Sequence, residues 1–191
     1  MSIGESFPAK PFTPRLLLRR FAAGDLTDFL AYQTHPEVLR FMPDLPMETS
    51  QAAEFLMQQM ALKEAQRGNY HAFAVYHLAD KKVIGDVGLF LAEGAENCGD
   101  LGFQFHPDYQ GKGYASEAVR ALLRHAFLKW ELARITSACD ARNFASYRLM
   151  ERVGMRKEGH MIKSRITKGE RHDVLIYALL REEFPEDSYG E

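Results

Sequence analysis

The chain has 191 residues, which fits one domain with a sizeable core, since 46% of them are hydrophobic. Its formal net charge of −2 gives no global basic field, so nucleic acid is not an expected partner. Two cysteines, Cys98 and Cys139, exclude a disulfide framework, and the seven dispersed histidines suggest no metal site.

Residues 1–14 carry Pro8, Pro11 and Pro14 and are expected to form a loose arm, without the apolar core of a signal peptide. Arg15 to Phe21 reads as a first strand, with Leu16 and Leu18 on one face and Leu17 and Arg19 on the other. Asp25 is placed to cap a helix whose apolar stripe is Leu26, Phe29 and Leu30. Pro36 starts a second short helix through Val38, Leu39 and Met42, closed by Pro43 and Pro46. Thr49 or Ser50 caps a third helix, with Ala52, Phe55, Leu56, Gln59, Met60 and Lys63 at helical spacing, and Gly68-Asn69 closes it.

From Tyr70 the period changes to two, with His71, Phe73, Val75 and His77 opposing Ala72, Ala74 and Tyr76. A turn at Ala79-Asp80-Lys81 returns Lys82 to Leu91 antiparallel, and Glu93 to Asn97 makes a second turn. Gly99 to His106 is the next strand, where Leu101, Phe103 and Phe105 alternate with Asp100, Gly102 and Gln104 until Pro107 ends the ladder. After Gly111 and Gly113, the residues Ala115, Ala118, Val119, Leu122, Leu123, Ala126, Phe127 and Trp130 form one wide apolar helix face. Ala133 to Cys139 is a strand, and Asn143 to Val153 a helix ended by Gly154. Met155 to Ser164 and His172 to Leu180 are two more strands, before an acidic, frayed tail from Glu182.

This order predicts an α/β (α+β) fold, a mixed and mostly antiparallel central sheet flanked by helices. The strands before and after the long helix should be parallel neighbours through a right-handed crossover. The basic clusters Arg15/Arg19/Arg20 and Arg152/Arg156/Lys157 read as solvated faces. No apolar run approaches the roughly 20 residues that span a membrane. A cytoplasmic protein with free thiols and no membrane partner is therefore expected.

The strand–Gly loop–helix unit from Gly99 to Trp130 is the most informative stretch. The first N–H groups of a helix lack internal partners and carry partial positive charge, so they suit an anion such as phosphate. Two common phosphate motifs do not fit: Gly-x-x-x-x-Gly-Lys-Ser/Thr is absent, and the dinucleotide fingerprint would need Gly or Ala where Ser116 stands.

Four stretches in order resemble the GCN5-related N-acetyltransferase (GNAT) superfamily, and within it the Rim-type branch of ribosomal-protein N-terminal acetyltransferases. They are Thr13-Pro-Arg-Leu-Leu-Leu-Arg-Arg-Phe, Ile84-Gly-Asp-Val-Gly-Leu, the run from Gly99 to Ala118, and Asp140-Ala-Arg-Asn-Phe-Ala-Ser-Tyr-Arg-Leu-Met-Glu-Arg-Val-Gly-Met. The resemblance implies a single N-acetyltransferase domain over 1–191, with the arm at 1–14 and the tail at 182–191 as extensions. It also implies a sheet splayed between strands 4 and 5. The loop pattern Gln/Arg-x-x-Gly-x-Gly/Ala is met by Gln110, Gly113 and Ala115. Backbone N–H groups over Gln110, Gly111, Lys112, Gly113, Tyr114 and Ala115 would then hold the pyrophosphate of acetyl-CoA, with Lys112 adding charge or simply solvated. The backbone of Phe103, Gln104 and Phe105 would pair with the pantetheine arm like an added strand.

By the same resemblance Asn143 would bond the pantetheine amides, and Ser146 would sit near the sulfur and protonate the leaving thiolate. Asn143 also reads as an ordinary N-cap. Many relatives carry a tyrosine acid where this chain has Met150; Tyr147 lies on a similar helix face and ranks below Ser146. Asp86 and Asp100, on neighbouring strands, are the candidate general bases, ahead of His71 and His172. Direct attack of a primary amine on the thioester is expected, with no metal and no activated cysteine. The acceptor is left open among a protein N-terminus, a small amine and an amino-sugar drug. Phe41, Met42, Tyr70 and Phe90 would line its apolar pocket. A homodimer is left open. The competing reading is a non-catalytic acyl-CoA-binding or sensing module.

Overall fold

In the computed structural model, residues 13–42, 46–94 and 97–185 are described. The short strand β1 (Leu16–Arg19) is followed by α1 (Leu26–Gln33), α2 (Pro36–Leu39) and α3 (Thr49–Ala61). A meander of β2 (Asn69–His77), β3 (Lys82–Leu91) and β4 (Cys98–Phe105) leads into α4 (Tyr114–Leu128). Then come β5 (Arg134–Asp140), α5 (Phe144–Arg152), β6 (Arg156–Thr167) and β7 (Glu170–Leu180). The seven strands form one sheet in the order β1-β2-β3-β4-β5-β7-β6. Every neighbouring pair is antiparallel except β4 and β5, which run parallel on either side of α4. The mixed, mostly antiparallel sheet expected from the sequence is the sheet observed.

The alternation of the strands builds two cores, one on each face. Phe73, Val75, Val87, Leu89, Leu101 and Phe105 pack with Val119, Leu122, Leu123, Ala126 and Phe127 of α4. Each fully buried leucine there contributes about 1.5–3 kcal/mol. Ala72 and Ala74, on the opposite face of β2, pack with Phe29 and Tyr32 of α1 and Leu56 of α3. Phe29 sits edge-on to Phe21 and Tyr32 and stacks on Phe55, which ties the two helices together.

Several local expectations change. Asp25 makes no side-chain cap at the start of α1; instead its carboxylate accepts from Arg19 Nη1 at 2.6 Å and Nη2 at 2.8 Å, and from the Ala22 N–H at 2.7 Å. A bidentate guanidinium holds it more strongly than helix amides would. α3 is entered one residue earlier than expected, at Glu48, and ends at Ala61, well before Gly68-Asn69, where β2 begins. Trp130 lies beyond α4, held by Glu64, which accepts from the indole N–H at 2.9 Å. The segment after β7 is docked rather than frayed at its start. Phe184 is 5% exposed and packs on Phe127, and Glu183 pairs with Arg156. Of the expected arm at 1–14, residues 1–12 lie outside the described residues, as do Pro43 and the rest of the tail from 186.

Two features of the sheet set up the site. The β4–β5 ladder has only the pairs Cys98–Arg134, Gly99–Ile135 and Asp100–Thr136. Ser137 Oγ then donates to the Leu101 carbonyl at 2.8 Å, and among the described residues no further pair forms. The edge of β4 from Gly102 to Phe105 is therefore parted from β5. On β3 and β4, Asp86 stands opposite Gln104, Gly88 opposite Gly102 and Phe90 opposite Asp100, all on the face covered by α1 and α3.

Candidate active site

One cleft of about 1090 Å³ runs through the sheet where β4 and β5 part. It is lined from one face by Tyr70, Asp86 and Gln104 and from the other by Ser116, Ser146 and Arg152, with Ser137 and Cys139 between them. Its volume is at the upper end of the range for small-molecule sites, which suits a long ligand reaching from one face to the other.

On the α4 side the cleft ends at the glycine loop. Gly111 and Gly113 have φ of 73° and 85°, a left-handed backbone that other residues enter only at a cost. Gly113 is the N-cap of α4, and the Glu117 N–H is the amide that bonds its carbonyl, at 3.1 Å. The amides from Gly113 to Ser116 thus have no helical carbonyl partner and open on the loop. This is the fit that a pyrophosphate requires. Gln110 does not share that role through its own N–H, which donates to the Pro107 carbonyl at 3.0 Å, while its side-chain amide donates to the Phe105 carbonyl at 2.9 Å. It ties the loop to the end of β4 instead. Ala115 lines the cleft, whereas the side chains of Lys112 and Tyr114 lie outside it.

The loop is braced by residues that sequence spacing could not gather. Arg15, just before β1, ion-pairs with Glu117, donates to the Lys112 carbonyl at 3.2 Å and lies 4.4 Å over the Tyr114 ring. Tyr109 donates to Asp80 at 2.5 Å, which pushes the phenol up to about 12, and the Tyr114 hydroxyl lies 3.0 Å from His77 Nε2. Arg152 reaches Ser116 Oγ at 3.4 Å and lines the cleft. Arg15 and Arg152 are exposed, as expected of solvated faces, but each also has partners at the loop.

α5 presents Asn143 and Ser146 to the cleft. Asn143 caps the helix, its Oδ1 accepting from the Ser146 N–H at 3.1 Å, so the capping reading holds for that oxygen. The Ser146 hydroxyl lies beside the Cys139 thiol, which burial pushes up to about 11. Cys139 is thus a neutral thiol, not a nucleophile. Met150 is wholly buried in the core, and Tyr147 packs against that core without lining the cleft.

On the α1 side, Asp86 is 4% exposed. Burial raises its carboxyl to about 7, against a smaller lowering by the Tyr32 hydroxyl that faces it. Neither that hydroxyl nor Asp86 Oδ2 has a hydrogen-bond partner of good geometry. Asp100 stands at the exposed rim, where Thr136 Oγ1 donates to it at 3.0 Å. Desolvation also raises its carboxyl, against the Thr136 bond and the charge of Arg165. Phe41, Met42 and Tyr70 line the cleft as expected, but Phe90 is 42% exposed and does not. His71 and His172 lie away from it, with His71 Nε2 bonded to the Gln66 carbonyl at 2.8 Å.

A parted strand edge beside free helix-start amides, in a cleft open to both faces of the sheet, is the arrangement of an acetyl-CoA-dependent acetyltransferase. The chain belongs to the GNAT acetyltransferases: the family profile for the acetyltransferase (GNAT) domain matches residues 15–156. It is 34% identical over 173 residues to the uncharacterized N-acetyltransferase YnaD of Bacillus subtilis (strain 168), covering 90% of this chain and 97% of that protein. The crystal structure of a GNAT-family acetyltransferase from Bacillus anthracis superposes with a TM-score of 0.79 at 32% identity, over 88% of this chain and 96% of that one. RimL, a ribosomal L7/L12 alpha-N-protein acetyltransferase solved with coenzyme A, shares the fold, with a TM-score of 0.78 at 20% identity over 93% and 98% of the two chains. No helix among the described residues is long and apolar enough to cross a membrane.

Proposed function

We propose that the protein moves the acetyl group of acetyl-CoA directly onto a primary amine, with Asp86 as general base and Ser146 as the proton donor to sulfur. The observation that carries this reading is the buried Asp86 carboxyl, raised to about 7, opposite Gln104 in the same cleft as the glycine loop. A base with that pKa is about half ionised at neutral pH and basic enough to take a proton from an ammonium.

The amides of Gly113 to Ser116 hold the pyrophosphate, and the open edge of Phe103, Gln104 and Phe105 aligns the thioester arm. Asn143 contacts that arm while capping α5. The amine nitrogen bonds to the acetyl carbon as the carbon–sulfur bond breaks. Two protons leave the nitrogen. One reaches solvent through Asp86, and the other ends on the coenzyme A sulfur by way of Ser146. Asp100, at the rim, is the weaker candidate for the base.

The test is release of free thiol from acetyl-CoA with a panel of amines, including peptides with free N-termini. Acceptor-dependent release that Asp86→Asn slows by about a hundred- to ten-thousandfold is expected. Tight acetyl-CoA binding without release for any amine would sink the proposal and leave a binding module.

A further inference from the structure

Resting on that reading, we infer that Asp86 and Gln104 form a cradle for the acceptor's ammonium group, and that the acceptor is a mono-cationic primary amine with an apolar body.

Asp86 Oδ2 and Gln104 Oε1 are both shielded from solvent and neither has a partner of good geometry, the Tyr32 hydroxyl that faces Asp86 included, and their residues stand directly opposite each other on β3 and β4. Side chains so placed lie about 4.5–5.5 Å apart at Cβ, close enough to share one ligand. Both residues line the cleft and both unpartnered atoms are acceptors, and leaving a buried acceptor unpaired is costly. The ligand that satisfies them must donate, and a primary ammonium has three N–H groups.

The floor beside the cradle is built for this. The Tyr70 hydroxyl lies where a Cβ at Gly88 or Gly102 would come within 2.7 or 2.8 Å of it, so only glycine at both positions lets the ring lie across the strands. The ring thereby closes the floor between Asp86 and Asp100, and burial with both carboxylates raises its phenol well above the usual value. A neutral hydroxyl there adds no charge to compete with the ammonium.

The remaining walls choose among amines. Leu39, Phe41, Met42, Met47 and Phe55 line the cleft beyond the cradle. They would pack an alkyl or arylalkyl body and offer nothing to the peptide groups that follow a protein N-terminus. A second cation fits poorly. Beyond the cradle the acidic residues Glu37 and Asp100 line the cleft together with Arg40 and Arg165, so the charges balance and a second ammonium gains no net attraction.

The experiment measures kcat/KM by thiol release for 2-phenylethylamine, butane-1,4-diamine, phenylalanine and a tripeptide with a free N-terminus. The arylalkyl mono-amine should lead each of the others by about tenfold or more. Gln104→Leu should raise the KM for that amine about tenfold and leave acetyl-CoA affinity, read by calorimetry, unchanged. If that variant does not fold, Met47→Ser supplies the second reading, as a narrowed preference for 2-phenylethylamine over methylamine. Preference for the diamine, the amino acid or the peptide would overturn the inference while leaving amine acetylation standing. An unmoved amine KM in Gln104→Leu would do the same. Binding of acetyl-CoA with no transfer to any amine would overturn both.

Discussion

Replacing Asp86 with Asn separates folding from chemistry, because the same burial that tunes the carboxyl also destabilises the fold. The folded carboxyl titrates at about 7 and its ordinary value is 3.8. Between those values the folded protein holds a proton that the unfolded chain has released, so stability falls as pH rises through this window and levels off above about 7. About three pH units at 1.36 kcal/mol each give an order-of-magnitude loss of ~4 kcal/mol. Asn stays neutral and carries no such slope. Urea unfolding from about pH 4.5 to about pH 8.5, followed by the fluorescence of the single, buried Trp130, reads the difference between the two proteins. His71 and His125, whose basicity burial depresses, act in the opposite direction, but they are common to both proteins and cancel. The expected result is a variant more stable than wild type above pH 7, the gap closing towards pH 4, with kcat/KM lower by about a hundred- to ten-thousandfold. Parallel pH profiles of stability would refute the perturbed carboxyl. A retained acid limb of kcat/KM in the variant would refute its role as base.

Gly113→Ala places a side chain at φ of 85°, with its Cβ 3.4 Å from Arg15 Nη2, and should cost about 1–2 kcal/mol, visible as a drop of about 2–8 °C in Tm. Gly113→Glu should in addition abolish acetyl-CoA binding in calorimetry by bringing a carboxylate to the phosphates; unchanged affinity would remove the loop from the donor site. Tyr109→Phe deletes the bond to Asp80 and should raise the KM for acetyl-CoA about 2–10-fold with kcat unchanged, because the brace acts on the loop and not on the reacting atoms. Phe184→Ala should cost about 3 kcal/mol in urea unfolding, since the ring packs on Phe127; a loss below ~0.5 kcal/mol would show that the end of the chain is not docked.

What the sequence disclosed and what it withheld follow from how each half of the cleft is assembled. The donor half is contiguous. Leu101 and Phe105 facing one way, Pro107 stopping the ladder, Gly111 and Gly113 turning the chain and the apolar face of α4 are all local signals, and each is found in place. The splay followed from the family resemblance, not from the spacing. Boundaries slipped where a stronger partner intervened. Arg19 draws Asp25 away from capping, and Phe127 holds Phe184 where an acidic tail suggested fraying. The braces of the loop were illegible for another reason. Arg15 and Glu117 are joined only by folding β1 beside α4, and nothing in the spacing of 102 residues between them announces it.

The acceptor half has no contiguous signature at all. It is assembled by register, so that a shift of one residue between β3 and β4 would turn Asp86 and Gln104 to opposite faces. Asp86 could be picked from the sequence as a carboxylate on a strand, but not its partner. Gln104 entered only as a backbone contact of the donor, and Gly88 and Gly102 carried no meaning until Tyr70 lay across them. This division has a chemical consequence. On the proposed function the donor loop would bind through backbone amides, which tolerate changes of side chain so long as the glycines remain. The proposed acceptor cradle would bind through two side-chain oxygens and an aromatic floor. Substitutions at Gln104, Tyr70 or Met47 should therefore change which amine is acetylated without touching how acetyl-CoA is held, while those at Gly113 should remove the reaction for every amine alike.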